Sequence, residues 1–265
     1  MSNKIKDTKN SLNELSIDRR KLLKFSALLA TTAVLPPVTG VLNSAQASTG
    51  IGVNEKIPKA FVYTELQISV PFNKVPWKEL NKSISVQPGF INKNWLYGYG
   101  NNSVGGIYAF DSIENAQKYV TDYFPKEARK FGVAQTTRVF DATVTKEASQ
   151  GVNSAHYSHH TKGKPGAFVY TEVQMNLPFG EAPWRKRNPI LLQQKGLLYK
   201  TWLSGLGTNT IGGIDAFDTI ENAKAFALND FPKVAKKLNS AFYTRIFDAS
   251  ITETASWQMN SPYYR

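Results

Sequence analysis

The chain has 265 residues, of which 42% are hydrophobic and 20% charged, an ordinary globular composition with enough apolar material for one large domain or two small ones. It contains no cysteine, which excludes disulfides, thiolate-bound metal, iron–sulfur clusters and a cysteine nucleophile. The formal charge is +12, of which +8 lies beyond residue 47, but the Lys and Arg are scattered, so a solvated basic surface is expected and nucleic-acid binding is not.

Residues 1–47 read as an export leader. Asp18-Arg19-Arg20-Lys21-Leu22-Leu23-Lys24 has the arginine pair, the apolar pair and the following lysine of a twin-arginine signal, with Asp18 where Ser or Thr is commoner. A moderately apolar stretch runs from Phe25 to Leu35 and ends at Pro36-Pro37, and Ala45-Gln46-Ala47 offers small-x-small for a signal peptidase. The expectation is cleavage after Ala47, passage through the twin-arginine translocase, a periplasmic or otherwise extracytoplasmic mature protein, and no stable membrane anchor after cleavage. Residues 48–59 read as an N-terminal linker. Nothing after the leader has the roughly eighteen consecutive apolar residues that a membrane helix needs.

The rest of the chain repeats itself. Ala60-Phe61-Val62-Tyr63-Thr64-Glu65 returns as Ala167-Phe168-Val169-Tyr170-Thr171-Glu172, an offset of 107. The offset holds without a gap through Pro76-Trp77 and Pro183-Trp184, Gly105-Gly106-Ile107 and Gly212-Gly213-Ile214, and Arg138-x-Phe140-Asp141-Ala142 and Arg245-x-Phe247-Asp248-Ala249. About half of roughly ninety aligned positions are identical, which marks a tandem duplication. The copies are taken as residues 60–149 and 166–256, joined by a linker over 150–165 and followed by a tail over 257–265. The linker holds the chain's three histidines, His156, His159 and His160. Without cysteine or a matching carboxylate set these are expected to be exposed linker residues rather than a metal site.

In chain order, apolar residues at every second position from Val62 to Val70 predict a half-buried strand ended by Pro71. A short helix follows with Pro76, or Pro183 in the second copy, in its first turn, and Pro189 should shift or kink the second of these helices. Strands are expected over 90–99 and 105–111, then a helix opened by Asp111-Ser112-x-Glu114 in the manner of a capping box, repeated by Asp218-Thr219-x-Glu221, then a strand over 136–144. The order β-α-β-β-α-β predicts an α+β fold: two tandem ferredoxin-like units. Both helices lie on one face of such a sheet, so the bare faces of the two copies should pack together into an eight-stranded α+β barrel, a dimer-like pair within one monomeric chain. The barrel interior is the default ligand site.

On the first strand Val62, Thr64, Leu66, Ile68 and Val70 should face the helices. Phe61, Tyr63, Glu65 and Gln67, which recur as Phe168, Tyr170, Glu172 and Gln174, should face the other sheet. That polar and aromatic set either lines a cavity or forms a satisfied hydrogen-bond network between the sheets. Lys93, Trp95 and Tyr97, with Lys200, Trp202 and Ser204 in the second copy, are assigned to the same face. Tyr108, replaced by Asp215 in the second copy, and the pair Arg138 and Arg245 are added to it.

Gln87-Pro88-Gly89-Phe90 followed by Lys93 and Trp95, Gly105-Gly106-Ile107-Tyr108-Ala109-Phe110, Phe131-Gly132-Val133, and Arg138-Val139-Phe140-Asp141 together resemble the YdhR-like mono-oxygenases of the dimeric α+β barrel superfamily. The resemblance covers nearly all of the first copy and, more loosely, the second. It implies a ferredoxin-like subunit paired through its sheets, and oxidation of a small aromatic or quinol-like substrate by O₂ with neither metal nor flavin. The departures are the duplication, the leader, and Asp215 in place of the aromatic of Gly-Gly-Ile-Tyr, so two pockets would not be equivalent.

Under that reading Lys93, Arg138 and Glu65 are the candidate catalytic residues, promoting and stabilising a substrate anion that reduces O₂. Tyr63, Gln67, Trp95, Tyr108, Tyr170, Gln174, Trp202, Asp215 and Arg245 are the candidate substrate contacts. No cofactor-binding or metal-binding residue is expected, and a haem ligand is disfavoured because neither copy contains a histidine. Non-catalytic binding of a small apolar or aromatic ligand is the alternative function, and a filled, purely structural barrel is a third reading.

Overall fold

A computed structural model describes residues 56–158 and 162–265, all within one compact unit, Glu55–Arg265. The leader, its cleavage site, His159 and His160 lie outside the described residues. Among the described residues no helix is long and apolar enough to cross a membrane.

The first repeat runs β1 (Ala60–Leu66), α1 (Trp77–Ser85), β2 (Phe90–Tyr97), β3 (Val104–Phe110), α2 (Ile113–Lys118, continued through a π-turn at Tyr119–Tyr123 into Phe124–Phe131), β4 (Gln135–Asp141) and the short α3 (Lys146–Gln150). The second runs β5 (Ala167–Gln174), α4 (Trp184–Leu192), β6 (Leu197–Ser204), β7 (Thr210–Phe217), α5 (Ile220–Ala225, π-turn Phe226–Asp230, Phe231–Lys237), β8 (Phe242–Asp248) and α6 (Ala249–Trp257). The sheets are antiparallel, ordered β2-β3-β1-β4 and β6-β7-β5-β8. This is the ferredoxin-like arrangement twice over.

Local chemistry explains the boundaries. β1 stops at Leu66, short of Pro71, because Ser69 takes a left-handed φ of 50° that turns the chain out of the sheet. The helix starts at Ser112 and Thr219 are capped by hydroxyls accepting the Asn115 and Asn222 amides at 3.1 and 3.2 Å. The returning partner is an asparagine rather than the expected glutamate: Asn115 Nδ2 donates to Asp111 at 2.9 Å and Asn222 Nδ2 to Asp218 at 2.8 Å. Pro189 lies inside α4, which nonetheless starts at Trp184, the position matching Trp77 at the start of α1.

The two sheets meet face to face and close on each other. Tyr99 N–H donates to Ile246 O and Leu206 N–H to Val139 O, both at 2.9 Å, so the ends of β2 and β6 each reach the last strand of the other repeat. Phe61, Phe140, Phe168 and Phe247, with Leu96, Ile107, Leu203 and Ile214, form the shared core between the sheets. Val62, Ile84 and Tyr119 belong to a separate core under the helices of the first repeat, as Val169, Leu191 and Phe226 do in the second.

The segments expected as linker and tail have one structure and one role. The offset of 107 pairs Ser149 with Ser256, Ser154 with Ser261 and Tyr157 with Tyr264. Each segment crosses to the other repeat. Ser256 Oγ accepts the Trp95 amide and Ser149 Oγ the Trp202 amide, both at 2.9 Å, while Met259 O accepts the Lys93 amide at 3.1 Å and Val152 O the Lys200 amide at 3.2 Å. Without these exchanged segments the outer edges of β2 and β6 would leave backbone groups unpaired, which explains why a supposed spacer is built into the fold.

Candidate functional site

Strand register decides which face each side chain serves. Val62 pairs with Tyr108 and Tyr108 with Lys93, and Gly106 pairs with both Thr64 and Trp95, so Lys93, Trp95 and Tyr108 share the helix-covered face. The same register puts Lys200, Trp202 and Asp215 on the helix-covered face of the second sheet. Their assignment to the barrel interior is therefore corrected. A bulge between Phe90 and Asn92, matched between Leu197 and Tyr199, shifts the register, and a shift of one residue exchanges the faces of a strand.

Beneath the helices of the second repeat lies a cavity of about 320 Å³. Its floor is Thr171, Lys200 and Trp202, its walls include Trp184, Leu191, Phe226 and Phe231, and Lys186, Arg187, Ile190, Lys237 and Leu238 stand around it on α4 and at the end of α5. Lys200 Nζ meets Asp215 Oδ1 at 2.8 Å, both side chains being almost wholly buried. Burial pushes the Asp215 carboxyl above its usual range, opposed by Lys200 and by a Thr171 hydroxyl at 3.4 Å. Gly213 makes room for the lysine: a Cβ there would come within 2.3 Å of Lys200 Nζ. The Trp202 indole N–H is used by Asn188 Oδ1 at 2.9 Å, and Asn188 itself donates to Ala148 O of the crossing segment at 2.8 Å, so the tryptophan presents only its ring to the cavity.

The first repeat has the same site nearly filled, at about 40 Å³. Tyr108 stands where the second repeat has Asp215, Tyr119 for Phe226, Tyr123 for Asp230 and Leu80 for Arg187. Lys93 Nζ lies 2.8 Å from the Trp95 ring centre and 4.6 Å from that of Tyr108. Among the described residues no carboxylate is within ion-pair reach of it. Burial drives its pKa well below the usual lysine range, as expected of an amine sealed among aromatic rings. Burial also pushes the Tyr108 phenol up to about 12.

The centre of the space between the sheets is occupied, and at its edge Arg138, Glu172 and Gln174 border an open pocket of about 460 Å³. Tyr63 and Tyr170 stack at the pseudo-twofold axis, ring centres 4.2 Å apart and planes 7° apart. Tyr63 donates to Glu65 at 2.9 Å, and Tyr170 donates to Glu172. The glutamates then pair across the interface, Glu65 with Arg245 at 3.3 Å and Glu172 with Arg138 at 3.4 Å. Of the two readings of this polar set, the inter-sheet network is the one the geometry supports, although Glu65 Oε1 is buried without a partner. Gln174 sits at the rim, donating to Thr208 O at 2.9 Å, and Gln67 is half-buried at the matching position.

The three candidate catalytic residues are thus not brought together. Lys93 lies under the helices, whereas Glu65 and Arg138 lie on the opposite face and bind different partners. Trp202 does line an open cavity, and Asp215 lies behind its floor, joined to it through Lys200. Sequence reasoning missed Trp184, Arg187, Lys186 and Lys237. The signal for Lys186 and Arg187 lies in departures between the copies, Glu79 against Lys186 and Leu80 against Arg187, whereas Trp184 and Lys237 repeat Trp77 and Lys130.

His156 is not an exposed linker residue. Its ring is edge-on to Phe61 at 4.8 Å and to Tyr263 at 5.7 Å, with both nitrogens buried and without a hydrogen-bond partner. Among the described residues no group of three metal-ligating side chains occurs.

Residues 65–152 match the protein-family model described as "Putative mono-oxygenase ydhR". No curated protein matches the chain. Among solved structures, the chain is similar to a "putative monooxygenase" from Lactobacillus acidophilus NCFM at 8% identity, covering 71% of this chain and 93% of that one with a TM-score of 0.42. An anthrone oxidase-like protein matches at 13% identity over 71% of this chain and 90% of that one, TM-score 0.49. A ferredoxin-fold protein related to antibiotic biosynthesis monooxygenases, from Listeria monocytogenes 4b F2365, matches at 12% over 72% and 95%, TM-score 0.40. At these identities the likeness is one of fold.

Proposed function

We propose, on the match of residues 65–152 to the ydhR mono-oxygenase family and on the open cavity, that the chain oxidises a small phenol or quinol-like molecule held in the second-repeat cavity. The observation that carries this reading is the enclosed Lys200–Asp215 pair beside the Trp202 ring, in a space large enough for one or two aromatic rings. The family's first repeat supplies the fold, and the second repeat supplies the open site.

The residues suit substrate-anion chemistry. A phenol stacked on Trp202 would set its hydroxyl against Lys200, which lines the cavity. The phenolic proton would pass to Lys200 Nζ as Lys200 passes one to Asp215 behind the floor, whose carboxylate is made more basic by burial, and the phenolate would rest against the Lys200 ammonium. The anion then reduces O₂ directly. In the balanced reaction a phenol becomes a quinone: one oxygen atom bonds to a ring carbon, and the other leaves as water with the ring hydrogen and the phenolic hydrogen. The substrate supplies all four electrons that O₂ takes up, so no further reductant is required. Non-catalytic capture of the same class of ligand is the second reading, favoured by the commitment of Glu65 and Arg138 to pairs between the sheets.

Export through the twin-arginine route and monomeric working of the duplicated chain complete the proposal. The leader motif Arg19-Arg20 and the Ala45-Gln46-Ala47 site support the first. Closure of both sheets within one chain supports the second.

The test is oxygen uptake by the mature protein with a panel of phenols and quinols, with chelator present and no flavin added. Uptake that depends on Asp215, lost in Asp215→Asn, supports the enzyme. Binding without any oxygen consumed moves the assignment to ligand capture.

A further inference from the structure

We propose that the ligand of the second-repeat cavity carries an anionic head, such as a carboxylate, on an aromatic or apolar body, with Arg187 as the residue that selects it; this rests on the cavity being the ligand site. The lining is apolar apart from Thr171 and four cations, Lys186, Arg187, Lys200 and Lys237, and includes no carboxylate. Asp215, behind the floor, offsets Lys200. Among the described residues none of the other three cations has an acidic partner within ion-pair distance. Arg187 is the half-buried one, while Lys186 and Lys237 are exposed at the mouth.

A guanidinium drawn partly out of water, whose acidic neighbours Asp215 and Asp230 stand beyond ion-pair distance, is incompletely compensated until an anion arrives, and its planar fork matches a carboxylate. Desolvation lowers the Arg187 pKa, opposed in part by Asp215 and Asp230, and a bound anion would oppose it further. The matched residues of the filled first-repeat site are Glu79 and Leu80, where the second repeat has Lys186 and Arg187. Lys186 and Arg187 therefore accompany the open cavity, whereas Lys200 and Lys237 have lysine counterparts, Lys93 and Lys130, in the first repeat. The geometry separates two ends: the acid head at the α4 side by Arg187, and the ring at the floor on Trp202.

The probes are 2-naphthoate and its neutral isostere 2-naphthamide, titrated at pH 7 against the tryptophan fluorescence of Trp184 and Trp202. Naphthoate should bind at least about tenfold more tightly than the amide, the size of one charge-assisted hydrogen bond. Arg187→Leu, which installs the residue that the first repeat already carries there, should lower naphthoate affinity to that of the amide. Arg187→Gln should do the same while keeping a polar side chain, and Lys236→Ala, outside the cavity, should leave the preference in place. Equal binding of both probes to the wild type overturns the anion selectivity and leaves the cavity as the site. Failure of both to bind overturns the site itself.

Discussion

Tyr108 and Asp215 occupy the same register position in the two sheets: Tyr108 pairs with Val62 and Lys93, and Asp215 pairs with Val169 and Lys200. This position, with Tyr119, Tyr123 and Leu80 against Phe226, Asp230 and Arg187, sets whether the space under the helices is filled or left open above an ion pair. Asp215→Tyr should close the second cavity as Tyr108 helps to close the first. Ligand affinity measured by calorimetry should fall more than about tenfold, with secondary structure unchanged by circular dichroism.

The Lys200–Asp215 pair is buried, so removing one partner leaves a charge without compensation. Asp215→Asn should destabilise the fold by about 3–5 kcal/mol. Chemical denaturation at constant slope would measure it. A cost below about 1 kcal/mol, in the range of exposed pairs, would show that the pair is solvated.

His156 supplies a pH dependence. Burial, with Arg265 adding to it, pushes the imidazole down to about 3 from its ordinary 6.5. The unfolded chain therefore binds the proton more readily than the fold does, so this group's contribution to stability is complete above about pH 6.5 and is lost as the pH falls toward 3. By pH 5 the loss is on the order of 2 kcal/mol. Melting temperatures from pH 7 to 5 should fall in the wild type, and this component should vanish in His156→Phe, whose ring suits the contacts with Phe61 and Tyr263.

Tyr63 and Trp202 separate the inter-sheet core from the site. Tyr63→Ala empties the stack with Tyr170 and should cost about 3–5 kcal/mol of stability. Its effect on ligand affinity should be small once the protein is folded. Trp202→Ala should weaken an aromatic ligand through loss of stacking worth roughly 0.5–1.5 kcal/mol beyond burial. Paired melting and binding curves on the two variants provide the comparison.

The duplication, the strand order and the face of β1 were legible because they rest on identity and on a period of two. Phe61 and Tyr63 do meet Phe168 and Tyr170 between the sheets. The faces of β2 and β3 were not legible, since bulges at Phe90/Asn92 and Leu197/Tyr199 and the cross-strand register leave no mark in single-strand alternation. Repetition also misled about the site: Tyr63 and Glu65 recur because the pseudo-twofold interface needs them twice, whereas the open cavity depends on residues that differ, Asp215 and Arg187 above all. The crossing segments escaped notice because short polar sequences such as Asn153-Ser154 and Asn260-Ser261 read as loop until their partners, Thr201 and Asn94, are seen.

The chain should have one working site, under the helices of the second repeat. Calorimetric titration with 2-naphthol, a phenol that the cavity can enclose, tests it through the number of sites. One molecule should bind per chain, with binding abolished by Asp215→Tyr and kept in Trp95→Ala at a temperature where that variant is folded. Two equivalents per chain, or binding that survives Asp215→Tyr and disappears with Trp95→Ala, would contradict it.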